Sequence, residues 1–207
     1  MLTERHGWAP LRVLSTASVR QRLRQPPAGA RTLKLGDVGS DLYIPGSGLD
    51  PVASLQSGRT LDRALLGGEV LLSTLGSSPR AAYVDEEVPP LVFPSDSWVR
   101  LRFRDSPAAW ALLLSTPAIR RQIGRFAVGT VQQFVPPEAL SSVHVPVPAP
   151  EVRERWQRTI ERHHALRRDH DRRWAAVLDA LTLAYDRVHA PLDAPTSPRR
   201  ALETSSR

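Results

Sequence analysis

Residues 129–150 read GTVQQFVPPEALSSVHVPVPAP. Gly129 permits tight backbone geometry, and two glutamines with paired donor and acceptor groups follow it. Pro136-Pro137-Glu138 opens a short helical turn, and a Val-Pro run then carries the chain in extended form to Pro150. A stiff exit limits the conformations open to Thr130, Gln132 and Gln133, so an interaction made by them costs less ordering entropy. The competing reading is a solvated loop. Either way, the stretch marks a boundary between two differently built regions.

Downstream, the composition changes at Glu151. No Pro or Gly occurs before Pro191, and charges are dense, with nine basic residues against seven acidic over 151–187. In heptad register Trp156, Ile160, His163, Arg167, His170, Trp174, Val177, Leu181, Ala184 and Val188 share one seam, apolar at both ends and polar in the middle. This predicts one long coiled-coil-like helix over 151–188 that needs a partner, within the chain or outside it. Trp156, Ile160, Trp174 and Leu181 are the candidate partner contacts. Residues 189–207, ending PLDAPTSPRRALETSSR, have the composition of a disordered tail.

Upstream, residues 1–28 read as an amphipathic lead-in around Trp8 and Leu11, closed by Pro26-Pro27. TLKLGDVG (32–39) reads as a strand running into a Gly-Asp turn, and GGEVLLST (67–74) as a turn followed by a strand. AAYV and LVFPSD are further short apolar runs. In WVRLRF (98–103) Arg100 and Arg102 alternate with apolar residues, and Arg104 continues the same face. SPAAWALLLSTPAIRRQIGRF reads as two helical pieces broken at Pro117. Strands first and helices later predict an α+β domain over 1–150, with a mixed or antiparallel sheet and short helices.

The chain has 207 residues, no cysteine, a net charge of +7 and a pI near 11. Disulfides and thiolate metal sites are excluded. No apolar run approaches the roughly 20 residues a membrane helix requires, and the N-terminus lacks the apolar core of a signal peptide. These features predict a cytoplasmic protein with no membrane partner. The charge favours a polyanion, although a single lysine among 28 basic residues also reflects a GC-rich genome. The basic groups cluster: seven against Glu4 in 1–34, and six arginines against Asp105 in 100–125.

The order of motifs resembles the DNA specificity subunit of type I restriction-modification systems. More closely, it resembles one half of such a subunit, with a single target-recognition domain and one spacer helix. The elements that carry the resemblance are Lys34-Leu35-Gly36-Asp37-Val38 and Gly68-Glu69-Val70-Leu71-Leu72-Ser73-Thr74-Leu75-Gly76. In the second, Glu69 stands where the family usually has Asp. After them come Leu114-Ser115 through Arg120 to Ile123, then Gly129-Thr130-Val131-Gln132-Gln133, then Leu140 to Pro148. The likeness covers roughly residues 8–185. The family usually opens its spacer helix with Glu-Gln; this chain has Val152-Arg153-Glu154-Arg155-Trp156.

The resemblance implies a non-catalytic reader of double-stranded DNA that serves defence against foreign DNA. Methylation and cleavage would reside on methyltransferase and restriction or translocase subunits. This sequence has no second copy of the recognition domain; the resemblance implies that half-length forms can work by dimerising through the C-terminal helix, with a palindromic site, and pairing with a second half-subunit is the alternative. Candidate DNA contacts are Lys34, Ser73, Ser77, Arg80, Arg100, Arg102, Thr130, Gln132 and Gln133. Glutamine pairs with adenine and arginine with guanine in the major groove, while an arginine stripe along 100–104 suits phosphates. An ordinary surface turn at 73–80 and a solvated strand face at 100–104 are the plainer alternatives.

Enzyme readings find little support. No phosphate-binding Walker loop, dinucleotide fingerprint, nucleophile elbow or Asn-Pro-Pro-Tyr-like stretch occurs. HHALRRDHD (163–171) matches no metal-ligand spacing, so neither a metal nor a cofactor is expected. The competing function is a coiled-coil adaptor that reads no DNA sequence.

Overall fold

The computed structural model describes residues 7–17, 26–52, 63–76 and 78–189, with side chains to Tyr185. Ser77, most of the tail over 189–207 and parts of the N-terminal lead-in lie outside the described residues. The lead-in forms strand β1 (Trp8–Pro10), a single helical turn α1 (Leu11–Leu14) and strand β2 (Ser15–Ala17). Then come β3 (Arg31–Leu33), β4 (Glu69–Ser73), β5 (Ala81–Tyr83), β6 (Val92–Pro94) and β7 (Trp98–Phe103). Helices α2 (Pro107–Leu114) and α3 (Pro117–Gly124) follow, then a 3-10 turn at Pro137–Ser142 and strand β8 (His144–Pro146). The long helix α4 spans Pro150–His189. The fold is α+β, as the order of periodicities predicts.

The central sheet is antiparallel, ordered β2-β7-β4-β5. An antiparallel ribbon pairs β1 with β8, and a parallel ribbon pairs β3 with β6. All five residues of β4 are buried because the sheet is covered on both faces. Val70, Leu72, Tyr83 and Leu101 enter one apolar cluster with α2 and α3. Leu71, Ala82, Val84 and Trp98 enter the other with Leu33 and Val92 of the parallel ribbon. Period-two alternation thus feeds two cores from one set of strands.

Pro117 splits the helical region as its missing N–H and fixed φ require, and it occupies the first turn of α3. Proline likewise opens α2 and α4. The chain forms two compact units, Met1–Asp171 and Arg172–Arg207, so the first six turns of α4 belong to the same unit as the sheet. Among the described residues no helix is long and apolar enough to cross a membrane.

On α4 the side facing the sheet domain carries Arg153, Trp156, Gln157, Ile160, His164, Arg168 and Asp171, the spacing of a straight 3.6-residue helix. The heptad reading puts His163 on the seam; the structure buries His164 instead, at 0% exposure. A straight helix drifts about 20° per heptad relative to a 3.5-residue repeat, and by the second heptad the buried row has moved on by one position.

Candidate functional site

The register of the sheet separates the candidate DNA contacts. Ser73 at the end of β4 pairs with Trp98, whereas Glu69 at its start pairs with Arg102. Four residues of strand, about 13 Å, therefore divide the Ser73 end from the Arg102 end.

At the Ser73 end the chain continues past β4 and pairs with the 129–135 segment. Thr74 O accepts from Val135 N at 2.7 Å, and Gly76 N donates to Gln133 O at 2.8 Å. Val128 and Phe134 exchange backbone hydrogen bonds of 2.8 and 2.9 Å, closing a loop over 129–133. Gly129 sits at φ +104°, and a Cβ there would collide with Gln132 O and lie 3.3 Å from Gln132 C. The ladder holds the base of the loop while Thr130, Val131, Gln132 and Gln133 stand exposed at its tip. Two motif segments separated by more than fifty residues are thereby joined into one projecting surface.

Arg80 lies across the same end. Its Nη1 donates to the carbonyls of Val38 (3.2 Å) and Leu35 (3.3 Å), tying the Lys34–Val38 motif to the loop after β4. Arg120 of α3 donates to Ser78 Oγ. Between them lies a cleft of about 480 Å³, lined by Arg80, Arg120, Ser40, Ser115 and the Gly36–Leu42 turn. Arg121 and Ser78 line a shallower recess beside it.

Two of the candidate contacts serve the fold instead. Ser73 is fully buried, and its hydroxyl accepts from Arg80 N at 2.8 Å, so it braces the loop and faces no solvent. Arg100 is also buried: its Nε and Nη2 both reach Glu69 Oε2, with Nε at 3.1 Å, and its remaining donors meet Arg63 O and Ala64 O. The predicted arginine stripe is broken because β7 is an inner strand and the parallel ribbon's core covers its arginine face at that level. Arg102, half exposed, approaches Glu69 Oε1 at 3.5 Å, and Arg104 is exposed. Lys34 is exposed and ion-paired with Asp50, which raises the ammonium's pKa and lowers the carboxyl's through their hydrogen bond.

The candidate partner contacts divide similarly. Trp156 and Ile160 are partly buried and pack on the core of their own domain, so for them the partner is within the chain. Trp174 and Leu181 are exposed, at 57% and 61%, as are Leu178 and Tyr185 on the same stripe.

Several residues that organise the site carry no local sequence signal, because their partners lie far away in the chain. Gln157 Oε1 accepts from Ala108 N at 2.7 Å and caps α2, whose own N-cap Ser106 makes no side-chain cap. Arg153 reaches Asp105 at 3.1 Å and lies over the Trp110 ring. His164 is enclosed by Tyr43 and Tyr83, with Nε2 at 3.2 Å from Asp41 O and Nδ1 at 3.6 Å from Asp85. Arg168 pairs with Asp85 and with Glu87 at 3.0 Å. Burial raises the Asp85 pKa, but the His164 hydrogen bond and the Arg168 charge outweigh it, and the net shift is downward. Burial pushes both Tyr43 and Tyr83 up to about 12. Asp85 and Asp105 follow the Glu69-end termini of β5 and β7. The helix is thus clamped at the end of the sheet away from the loops.

No protein-family model matches the chain, and no curated protein does. Among solved structures it is similar to the S subunit of a type I restriction-modification system from M. genitalium, at 15% identity and a TM-score of 0.45 over 77% of this chain. The HsdS subunit from Thermoanaerobacter tengcongensis is similar at 16% identity and a TM-score of 0.43 over 81%. The chain spans 39% of the length of each.

Proposed function

We propose that this chain recognises double-stranded DNA as the specificity component of a type I-like restriction-modification system, with its loops reading bases and its long helix engaging other subunits. The observation that carries this reading is the joining of the motif loops 74–80 and 129–133 into one surface flanked by Arg80, Arg120 and Arg121. Such a surface offers amide groups, hydroxyls and guanidinium groups on a framework fixed by backbone hydrogen bonds. Gln132 and Gln133 are the base-reading candidates at its tip, and Thr130 is a supporting contact. The exposed stripe Trp174, Leu178, Leu181 and Tyr185 is the surface for a methyltransferase subunit or a second copy of the chain.

The test is selection from random duplex DNA with the chain alone and with the system's methyltransferase subunit. A recurring site in either condition is expected, with affinity falling by about 0.9 logarithmic units per phosphate neutralised for each tenfold rise in salt. Failure to enrich any site in both conditions would sink the proposal. In that event, retained association of the helix with a protein partner would favour the adaptor reading, for which the exposed apolar stripe is the supporting observation.

A further inference from the structure

The cleft between the Gly36–Leu42 turn and α3 is separate from the glutamine loop. Its volume is about 480 Å³ and two guanidinium groups line it. Arg80 is oriented by the two backbone carbonyls that its Nη1 contacts, and among the described residues its Nε and Nη2 meet no protein acceptor. Arg120 is held by Ser78 through Nη2, while its Nε is buried without any hydrogen-bond partner. A buried guanidinium donor left unpaired is costly and calls for an acceptor. Among the described residues that line the cleft none is a carboxylate, while the Asp41 side chain lies beside Gly39 at its rim. Ser40 and Ser115 add hydroxyls, and Gly36 leaves the backbone open to close approach.

We propose that this cleft seats one backbone phosphate of the bound DNA, with Arg120 as the principal donor and Arg80 as the second. The proposal rests on the DNA-reading assignment and adds a division of labour: the cleft sets register and affinity, and the 129–133 loop sets sequence preference. A planar fork presenting several N–H donors suits a phosphodiester's two free oxygens, whereas base edges need the projecting reach of the loop. Leu42, which lines the cleft, holds a left-handed backbone at φ 65°, uncommon for a branched side chain.

The test compares the full-length chain with Arg120→Gln, measuring affinity for a selected duplex and for an unrelated duplex across a range of KCl. Arg120→Gln is expected to weaken both by the same factor, roughly tenfold. It is also expected to reduce the salt slope by about one. Thermal melting checks that the variant is folded, and Arg120→Lys should retain the slope. A panel of selected duplexes, each with one phosphate replaced by neutral methylphosphonate, should contain one position that weakens the wild type and leaves Arg120→Gln indifferent. An unchanged slope, a loss confined to the selected duplex, or sensitivity of the variant at every position would overturn the cleft assignment alone. A wild-type chain that binds neither duplex would overturn the DNA-reading assignment with it.

Discussion

Replacing Glu69 by alanine is expected to be among the most damaging single changes in the sheet. The carboxylate is fully buried and accepts from Arg63 Nη2 at 2.7 Å, Leu66 N at 3.1 Å and Arg100 Nε at 3.1 Å. The Arg100 side chain is itself only 1% exposed, so removal of Glu69 takes away the carboxylate that its Nε and Nη2 reach in the interior. Breaking a buried pair in this way costs about 3–5 kcal/mol. For a chain of this size that lowers the melting temperature by about 6–20 °C. Urea unfolding followed by circular dichroism measures it. The double variant Glu69→Leu with Arg100→Met is the control, because it removes this pair of charges together, while Arg63 Nη2 and Leu66 N lose their Glu69 acceptor and the Arg63 and Ala64 carbonyls lose their Arg100 donor. It should be damaged less than the sum of the two single changes, because neither charge is left behind without the other. A cost below about 1 kcal/mol for Glu69→Ala, or a double variant as damaged as the sum of the single ones, would refute this account. Glu69→Asp, the residue usual in the resembled family, should fall between, since the shorter side chain withdraws from Arg100.

Gly129→Ala forces a Cβ into Gln132 O at a positive φ, and it should cost more than about 1 kcal/mol and weaken selection of any DNA site. Gln157→Ala removes the cap of α2 and should lower stability by about 0.5–2 kcal/mol in urea unfolding. Asp85 has a lowered folded pKa, so its stabilising contribution is whole above the ordinary value of 3.8 and is lost as pH falls through the folded value. Asp85→Asn should flatten that part of the acid-unfolding curve. Tyr43 and Tyr83, raised to about 12 by burial, should stay protonated at pH 11 in an ultraviolet titration of the folded chain, and Tyr83→Phe should remove one late-titrating group.

The local elements were legible wherever chain chemistry decides them alone. Pro117 breaks the helices, Gly67-Gly68 turns the chain before β4, alternation marks β7, and the absence of Pro and Gly after Glu151 yields α4. The order of motifs also brought Gly129–Gln133 to notice as a loop. What the sequence could not supply was which face each polar residue meets. Arg100 and Arg102 look equivalent along the strand, yet one is buried on Glu69 and the other half exposed, because only the neighbouring ribbon distinguishes their levels. Ser73 and Arg80 seemed a common surface turn until cross-strand pairing made Ser73 a brace. His164 lay beside His163 in the sequence, and a packed straight helix rather than a heptad seam selected between them.

By itself, then, the sequence determined the succession of strands, turns and helices, the change of character at Glu151 and the basic balance of the chain. These follow from backbone sterics and side-chain periodicity, which act over a few residues. The tertiary structure alone decided that the loops 74–80 and 129–133 form one surface, that Arg80 and Arg120 share a cleft, and that six turns of α4 lock onto the sheet domain. Those relations depend on register and packing between segments far apart in the chain, where a shift of one residue exchanges a buried ion pair for an exposed side chain.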